Sequence, residues 1–253
     1  MSASRFFKRR QFLLLGGAGV AGFIGGGAVT AGVINAHVAA SEPPSQGSPL
    51  AQSAKYSQIP GDGPYLHPGT FNQEFLAKVA DVRQIWDFAA LEQVQSDGFT
   101  PIKNAMNAFQ FTYQKTLYPV ICLRGSAVIY ALDDALWAKY SLGTVYGQQP
   151  GGSDQNPMYH RLTTDNGTLS PENPNSLYQD SSLQALIQRG SYIAICHDAL
   201  NGLAMQLAEQ RTLTAQPVFK ELATHLVPGA TETPSGSSLI AVAQHLGFTY
   251  AKQ

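Results

Sequence analysis

The residues of this chain best suited to chemistry are Cys196 and His197, within Ser191 to Gln206, which reads SYIAICHDALNGLAMQ. Tyr192, Ile193, Ala194 and Ile195 form an apolar run of strand length, and Leu200, Leu203, Ala204 and Leu207 then recur at helical spacing. A strand therefore hands over to a helix at Cys196-His197-Asp198. Asp198 is the expected N-cap, its carboxylate accepting from unpaired first-turn N–H groups. A thiol at that junction faces the positive end of a helix and has an imidazole next in sequence. Both influences lower a thiol pKa and raise its nucleophilic fraction. The expected chemistry is that of a nucleophilic sulfur, with Cys196 as acceptor and His197 as its modulator.

Other elements must hold that sulfur in place. Val82 to Phe88 reads as a strand, as do Val120 to Leu123, Ala230 to Thr233 and Phe248 to Ala251. Between them, Thr100 as cap and Pro101 at the first position open a helix whose stripe is Ile102, Ala105, Met106, Phe109 and Tyr113. Arg124-Gly125-Ser126 turns into a helix with Val128, Leu132, Leu136 and Tyr140 on one face. Shorter helical stripes carry Leu183 and Leu186, Val218 and Leu222, and Leu239 and Ala243. This alternation predicts an α/β domain with a mostly parallel, helix-covered sheet. Residues 143–178 interrupt it with turn chemistry such as Gly151-Gly152 and Asn173-Pro174-Asn175. Such an insertion is most often a lid, a binding loop or a subunit contact.

In open α/β sheets ligands sit beyond the carboxyl ends of the strands. The ends here are Asp87, Arg124-Gly125-Ser126, Cys196-His197-Asp198 and Ser235-Gly236. Asp87, Arg124, Gly125, Ser126, Asp198 and Ser235 are accordingly the candidate ligand-binding residues, a nest for a small anion such as an oxidised sulfur species. The same residue types are also the ordinary material of strand-to-helix turns. Cys122, inside a strand, reads as a small buried hydrophobe, with a Cys122–Cys196 disulfide as the alternative in an oxidising compartment.

Composition excludes several classes. The 253 residues are 44% hydrophobic, enough for a real core. Residues 1–40 hold Arg5, Lys8, Arg9 and Arg10 and no acid, so twelve basic groups remain against seventeen acidic ones, a net of −5 beyond residue 40. An acidic body argues against nucleic acid or anionic lipid as partner. The six histidines show no metal-ligand spacing, no cofactor motif stands in a proper context, and Gly17 to Gly22 matches G-x-G-x-x-G without a preceding strand. Lys8-Arg9-Arg10-Gln11-Phe12-Leu13 and the Gly-rich apolar run to Ile34 resemble a twin-arginine export signal, with small residues suited to cleavage after Ala40. Retention as a membrane anchor is the alternative. Export by the twin-arginine machinery places the mature protein in the periplasm, and residues 41–70 read as a linker.

The C-terminal half carries a resemblance. Leu226-Val227-Pro228-Gly229-Ala230-Thr231, then Pro234-Ser235-Gly236, then Gly247-Phe248-Thr249-Tyr250, together with the strand ending in Cys196-His197, is similar to the DsrE/DsrF-like family of sulfur-relay proteins. The resemblance spans roughly residues 79–253, within an expected domain of 71–253. It implies a flavodoxin-like three-layer fold, frequent homo-oligomers, a small-molecule or sulfur-carrier partner, and in some members a cysteine that carries sulfur as a persulfide. Only Cys196 occupies a matching place. The export leader and the insertion depart from the cytoplasmic pattern.

Overall fold

The computed structural model describes residues 74–145 and 154–253. The expected twin-arginine leader, its expected cleavage point and the expected linker of residues 41–70 lie outside the described residues. Five strands form one parallel sheet: β1 (Val82–Phe88), β2 (Leu117–Leu123), β3 (Tyr192–Cys196), β4 (Ala230–Thr233) and β5 (Thr249–Lys252), in the order β4-β3-β2-β1-β5. The helices are α1 (Leu91–Asp97), α2 (Thr100–Asn107), α3 (Asp134–Tyr140), α4 (Leu142–Val145), α5 (Leu183–Gln188), α6 (His197–Arg211), α7 (Ala215–Thr224) and α8 (Gly236–His245). The three-layer α/β architecture is thus as the alternation predicts.

Side-chain alternation in the strands divides the core into two layers. Trp86, Phe88, Ile121, Leu123, Ile193 and Ile195 point to one face, where α1, α2, α3, α5, α6 and α7 cover them. Ile85, Val120, Cys122 and Ala194 point to the other, beneath Leu239 and Ala243 of α8 and beneath Phe75 and Leu76 of a 3-10 turn at Glu74–Ala77. The chain therefore crosses the helix-rich face from β1 through β4. It then reverses once, over the opposite face, to lay β5 beside β1.

Local chemistry explains where elements differ from the sequence reading. The apolar stripe from Val128 to Tyr140 is not one helix but a 3-10 segment, Gly125–Ala131, followed by α3. Leu132 bridges Leu226, and Asp133 accepts from Leu136 N at 3.1 Å, so tertiary pairing and a new N-cap break the run between them. Thr100 is the first residue of α2 rather than its cap, the Ncap being Phe99. That helix passes into a π-helical turn, Ala108–Thr112, which swings Tyr113 out to 63% exposure and ends the predicted stripe at Met106.

The described part of the insertion, 154–178, has little regular structure yet is firmly tied. Asn156 is buried and donates to the carbonyls of Tyr130 and Leu132 at 2.7 and 2.8 Å. Asp165 accepts from the backbone of Thr168 and Leu177, both at 3.0 Å, and Asp180 from Leu162 at 2.6 Å and Ser182 at 2.9 Å. The segment binds to the helix-rich side through Asn107–Tyr178 and Met158–Leu183 contacts, away from the α8 face that holds the cysteines.

Burial opposes ionisation of both aspartates, but the hydrogen bonds to the charged form prevail and hold each carboxyl below its ordinary range. Because the folded values are depressed, both groups stabilise the fold above the unfolded carboxylate value of about 3.9, and that contribution drains as pH falls toward the folded values. Amide protection factors in residues 158–182 are expected to fall below about pH 4, before those of β2 and β3. Simultaneous loss of protection across insertion and sheet would contradict this.

Candidate functional site

The connections decide where a ligand can sit. The chain leaving β3 at Cys196 enters α6 on the helix-rich face, whereas the chain leaving β4 at Thr233 passes through Pro234-Ser235 into α8 on the other. Adjacent strands whose exits diverge leave a crevice between their carboxyl ends. Cys196 and Thr233 are register partners at that divergence.

The two-residue strand period carries Asp87, Cys122 and Cys196 to the α8 face, in line with Ile85, Val120 and Ala194. Cys196 is 6% exposed and occupies the N-cap position of the fifteen-residue α6. Cys122 is fully buried, and burial, reinforced by the negative charge of Asp87 and then of Cys196, pushes its thiol up to about 12. Both cysteines are free. Cys122 pairs in register with Ala194, so Cys196 lies one strand over and two residues further along. That diagonal is about 8 Å between Cα atoms, beyond the ~7 Å that a disulfide spans without backbone movement. The alternative of a Cys122–Cys196 bridge does not fit this backbone.

Asp87, 2% exposed, anchors the rim. Arg124 grips it from two nitrogens, Nε to Oδ1 at 2.6 Å and Nη2 to Oδ2 at 2.8 Å, and Tyr250 Oη donates to Oδ2 at 2.8 Å. The hydrogen-bonded carboxylate raises the guanidinium pKa above its ordinary value. Helix α8 begins on top of this pair. A Cβ added to Gly236 would stand 2.8 Å from Arg124 Cδ and 3.2 Å from Cys122 Sγ, so only glycine lets the helix start so low. Ser235, its N-cap, makes no side-chain capping bond.

The remaining predicted residues separate from this cluster. His197 follows Cys196 in sequence but turns toward the helix-rich face, where Nδ1 meets Glu232 Oε1 at 2.5 Å and the ring lies edge-on to Phe219 at 5.0 Å between centroids. Its immediate partners are therefore a carboxylate and an aromatic ring on the far side of the sheet. Asp198 is exposed in the first turn of α6 and is not the cap, so its contribution is a negative charge near the helix N-terminus. Gly125 and Ser126 line a cleft of about 240 Å³ with Ala199, Gly202 and Leu203 of α6, on the helix-rich side. Gly125 has φ of +52°, and a Cβ there would meet Ala89 O at 2.1 Å. Its identity follows from that close backbone approach. Ser126 Oγ accepts from Leu91 N at 3.0 Å and so joins the turns that follow β1 and β2.

The structure thus joins Asp87 and Arg124 beneath the start of α8, places Cys196 on the same face but one strand beyond Cys122 and two residues further along, and leaves His197, Asp198, Gly125 and Ser126 on the other side. It adds Tyr250, which the sequence places only in a strand, and Cys122, which the sequence offers as a small buried hydrophobe or a disulfide partner. Among the described residues no group of His, Cys, Asp or Glu is arranged to hold a metal ion, and no helix is long and apolar enough to cross a membrane. No protein-family model matches the chain, and no curated protein matches it.

Proposed function

We propose that the chain is an exported, periplasmic DsrE-like protein that binds or relays a small sulfur-containing or anionic species through Cys196. The observation that carries this reading is the coincidence of a thiol, a helix N-terminus and the divergence of β3 from β4 at one point. Polar groups and ligands concentrate at such points because loops part there and helix amides converge. The partner is a sulfur carrier or a small molecule bearing sulfane sulfur, and homo-oligomerisation accompanies the family resemblance. In a relay step the Cys196 thiolate attacks the outer sulfur of a donor persulfide R–S–SH. A new S–S bond forms on Cys196, the donor S–S bond breaks, and R–S⁻ departs as a thiolate, so no external oxidant is needed.

A second reading, a non-enzymatic binding or assembly module of the same fold, is favoured by one observation. Arg124 turns Nε and Nη2 to Asp87, and His197 turns Nδ1 to Glu232 on the far side of the sheet, so the carboxylates draw both groups away from the sulfur.

Thiol alkylation of the mature protein separates the two. The relay reading expects Cys196 to be labelled within minutes at neutral pH, and to gain one sulfur atom from polysulfide by intact-mass measurement. Cys122, enclosed and with a thiol pushed up to about 12, is expected to react only after denaturation. A native protein in which neither cysteine reacts would establish the module reading instead.

A further inference from the structure

At the end of the sheet opposite the cysteine rim, the chain gathers three cationic side chains around one cavity. Arg189 closes α5 just before β3. Its Nη2 donates to Asn107 Oδ1 at 2.7 Å and its guanidinium lies over the Tyr178 ring at 5.1 Å, yet Nη1 is buried with no hydrogen-bond partner. No carboxylate pairs with it among the described residues. Burial pushes its pKa down to about 10, and Lys103 nearby is lowered by burial and then by the charge of Arg189. A buried guanidinium nitrogen left without an acceptor is unfavourable, even on a side chain that is otherwise half-buried.

Arg189 lines a cavity of about 410 Å³ together with Lys78 and Lys115, and among the described residues no acidic one lines it. Lys78 Nζ sits over the Tyr118 ring at 4.8 Å and 3.8 Å from the Cβ position of Gly190, next to Arg189. Lys115 has the Asp81 carboxylate within electrostatic range, which Thr116 N at 2.7 Å and Thr116 Oγ1 at 2.8 Å fix in place outside the cavity lining. The other walls include Met106, Leu117 and Tyr118. The body of the chain is net acidic, so an acid-free cavity with three cations is a local arrangement and not a reflection of composition. The volume falls within the range of small-molecule sites and exceeds what a bare ion needs.

We infer that this cavity is a binding site for a small molecule carrying a tetrahedral oxyanion, a phosphate or sulfate group, held by Arg189, Lys78 and Lys115 with its remaining body against Met106 and Leu117. Guanidinium and ammonium donors match such oxygens through charge-assisted hydrogen bonds. The site is distinct from the cysteine rim and stands or falls independently of it.

The test measures thermal stability and calorimetric binding of the full chain with inorganic phosphate, sulfate and phenyl phosphate, against sodium chloride at matched ionic strength. Saturable stabilisation by the oxyanions over chloride is expected. Tighter binding of phenyl phosphate identifies an organic ester as the ligand, and equal binding identifies the free ion. Lys78→Gln with Lys115→Gln, two exposed positions whose change spares the core, is expected to weaken binding about tenfold or more. Arg189→Gln is expected to abolish the response. An oxyanion effect equal to that of chloride overturns the inference. So does an affinity unchanged in the double lysine variant, whether or not the Arg189 variant folds.

Discussion

Gly125→Ala is expected to lower the Tm by about 4–20 °C, and Gly202→Ala, in the same cleft, to raise it slightly. The two glycines differ in what a methyl group would meet. At Gly125 the backbone is left-handed, φ +52°, and the new Cβ would lie 2.1 Å from Ala89 O, a backbone atom held by the donor N–H of Ser126 at 3.2 Å. Left-handed geometry costs an alanine about 1–2 kcal/mol, and forcing apart two packed backbones adds about 1–3 kcal/mol. For a domain of this size each kcal/mol shifts Tm by about 2–4 °C. Gly202 sits inside α6 with nothing within 4 Å of its Cβ position, so alanine there gains helix propensity of about 0.5–1 kcal/mol. Thermal denaturation of the two variants checks the contrast. A Gly125→Ala protein as stable as the parent would show that the β1 and β2 exits are not locked together.

The second large effect concerns the rim. Arg124→Met is expected to destabilise the protein by about 3 kcal/mol, because it leaves Asp87, 2% exposed, with its charge answered only by the Tyr250 hydroxyl. The guanidinium itself is one-third exposed, which places the expectation at the lower end for buried pairs. Tyr250→Phe removes a single bond to the carboxylate and is expected to cost about 1–2 kcal/mol. Adding Asp87→Asn to Arg124→Met should recover part of the loss, since the unpaired charge disappears with it. Urea denaturation of the single and double variants gives the coupling directly. Additive losses would mean that the ion pair does not hold the rim.

These predictions rest on contacts that sequence reading reached unevenly. The strand-to-helix handover at Cys196 was legible because the apolar period changes there from two to between three and four, a local signal. The orientation of His197 was not. Cys196 is still extended, so the residue after it falls on the opposite face of the sheet, and adjacency in sequence sent the thiol and the imidazole to opposite sides. Asp87 and Arg124 were both singled out as strand-end residues, but their pairing spans 37 positions and depends on β1 and β2 being neighbours in register. Gly125 was read as part of an anion nest, whereas its conformation answers to Ala89, a residue of another loop. Arg189 carried no signal at all. A lone arginine at a helix end is ordinary until its surroundings prove to contain no acid.

By itself the sequence determined the class of the fold, the number and approximate limits of the strands, and the placement of a cysteine at a strand end. Each of these follows from periodicity and turn chemistry within a few residues. Tertiary structure alone decided the order β4-β3-β2-β1-β5, the single reversal that parts the exits of β3 and β4 at Cys196, and the gathering of cations at the other end of the sheet. Those features arise from contacts between segments far apart in the chain, where packing and charge are settled by which faces meet.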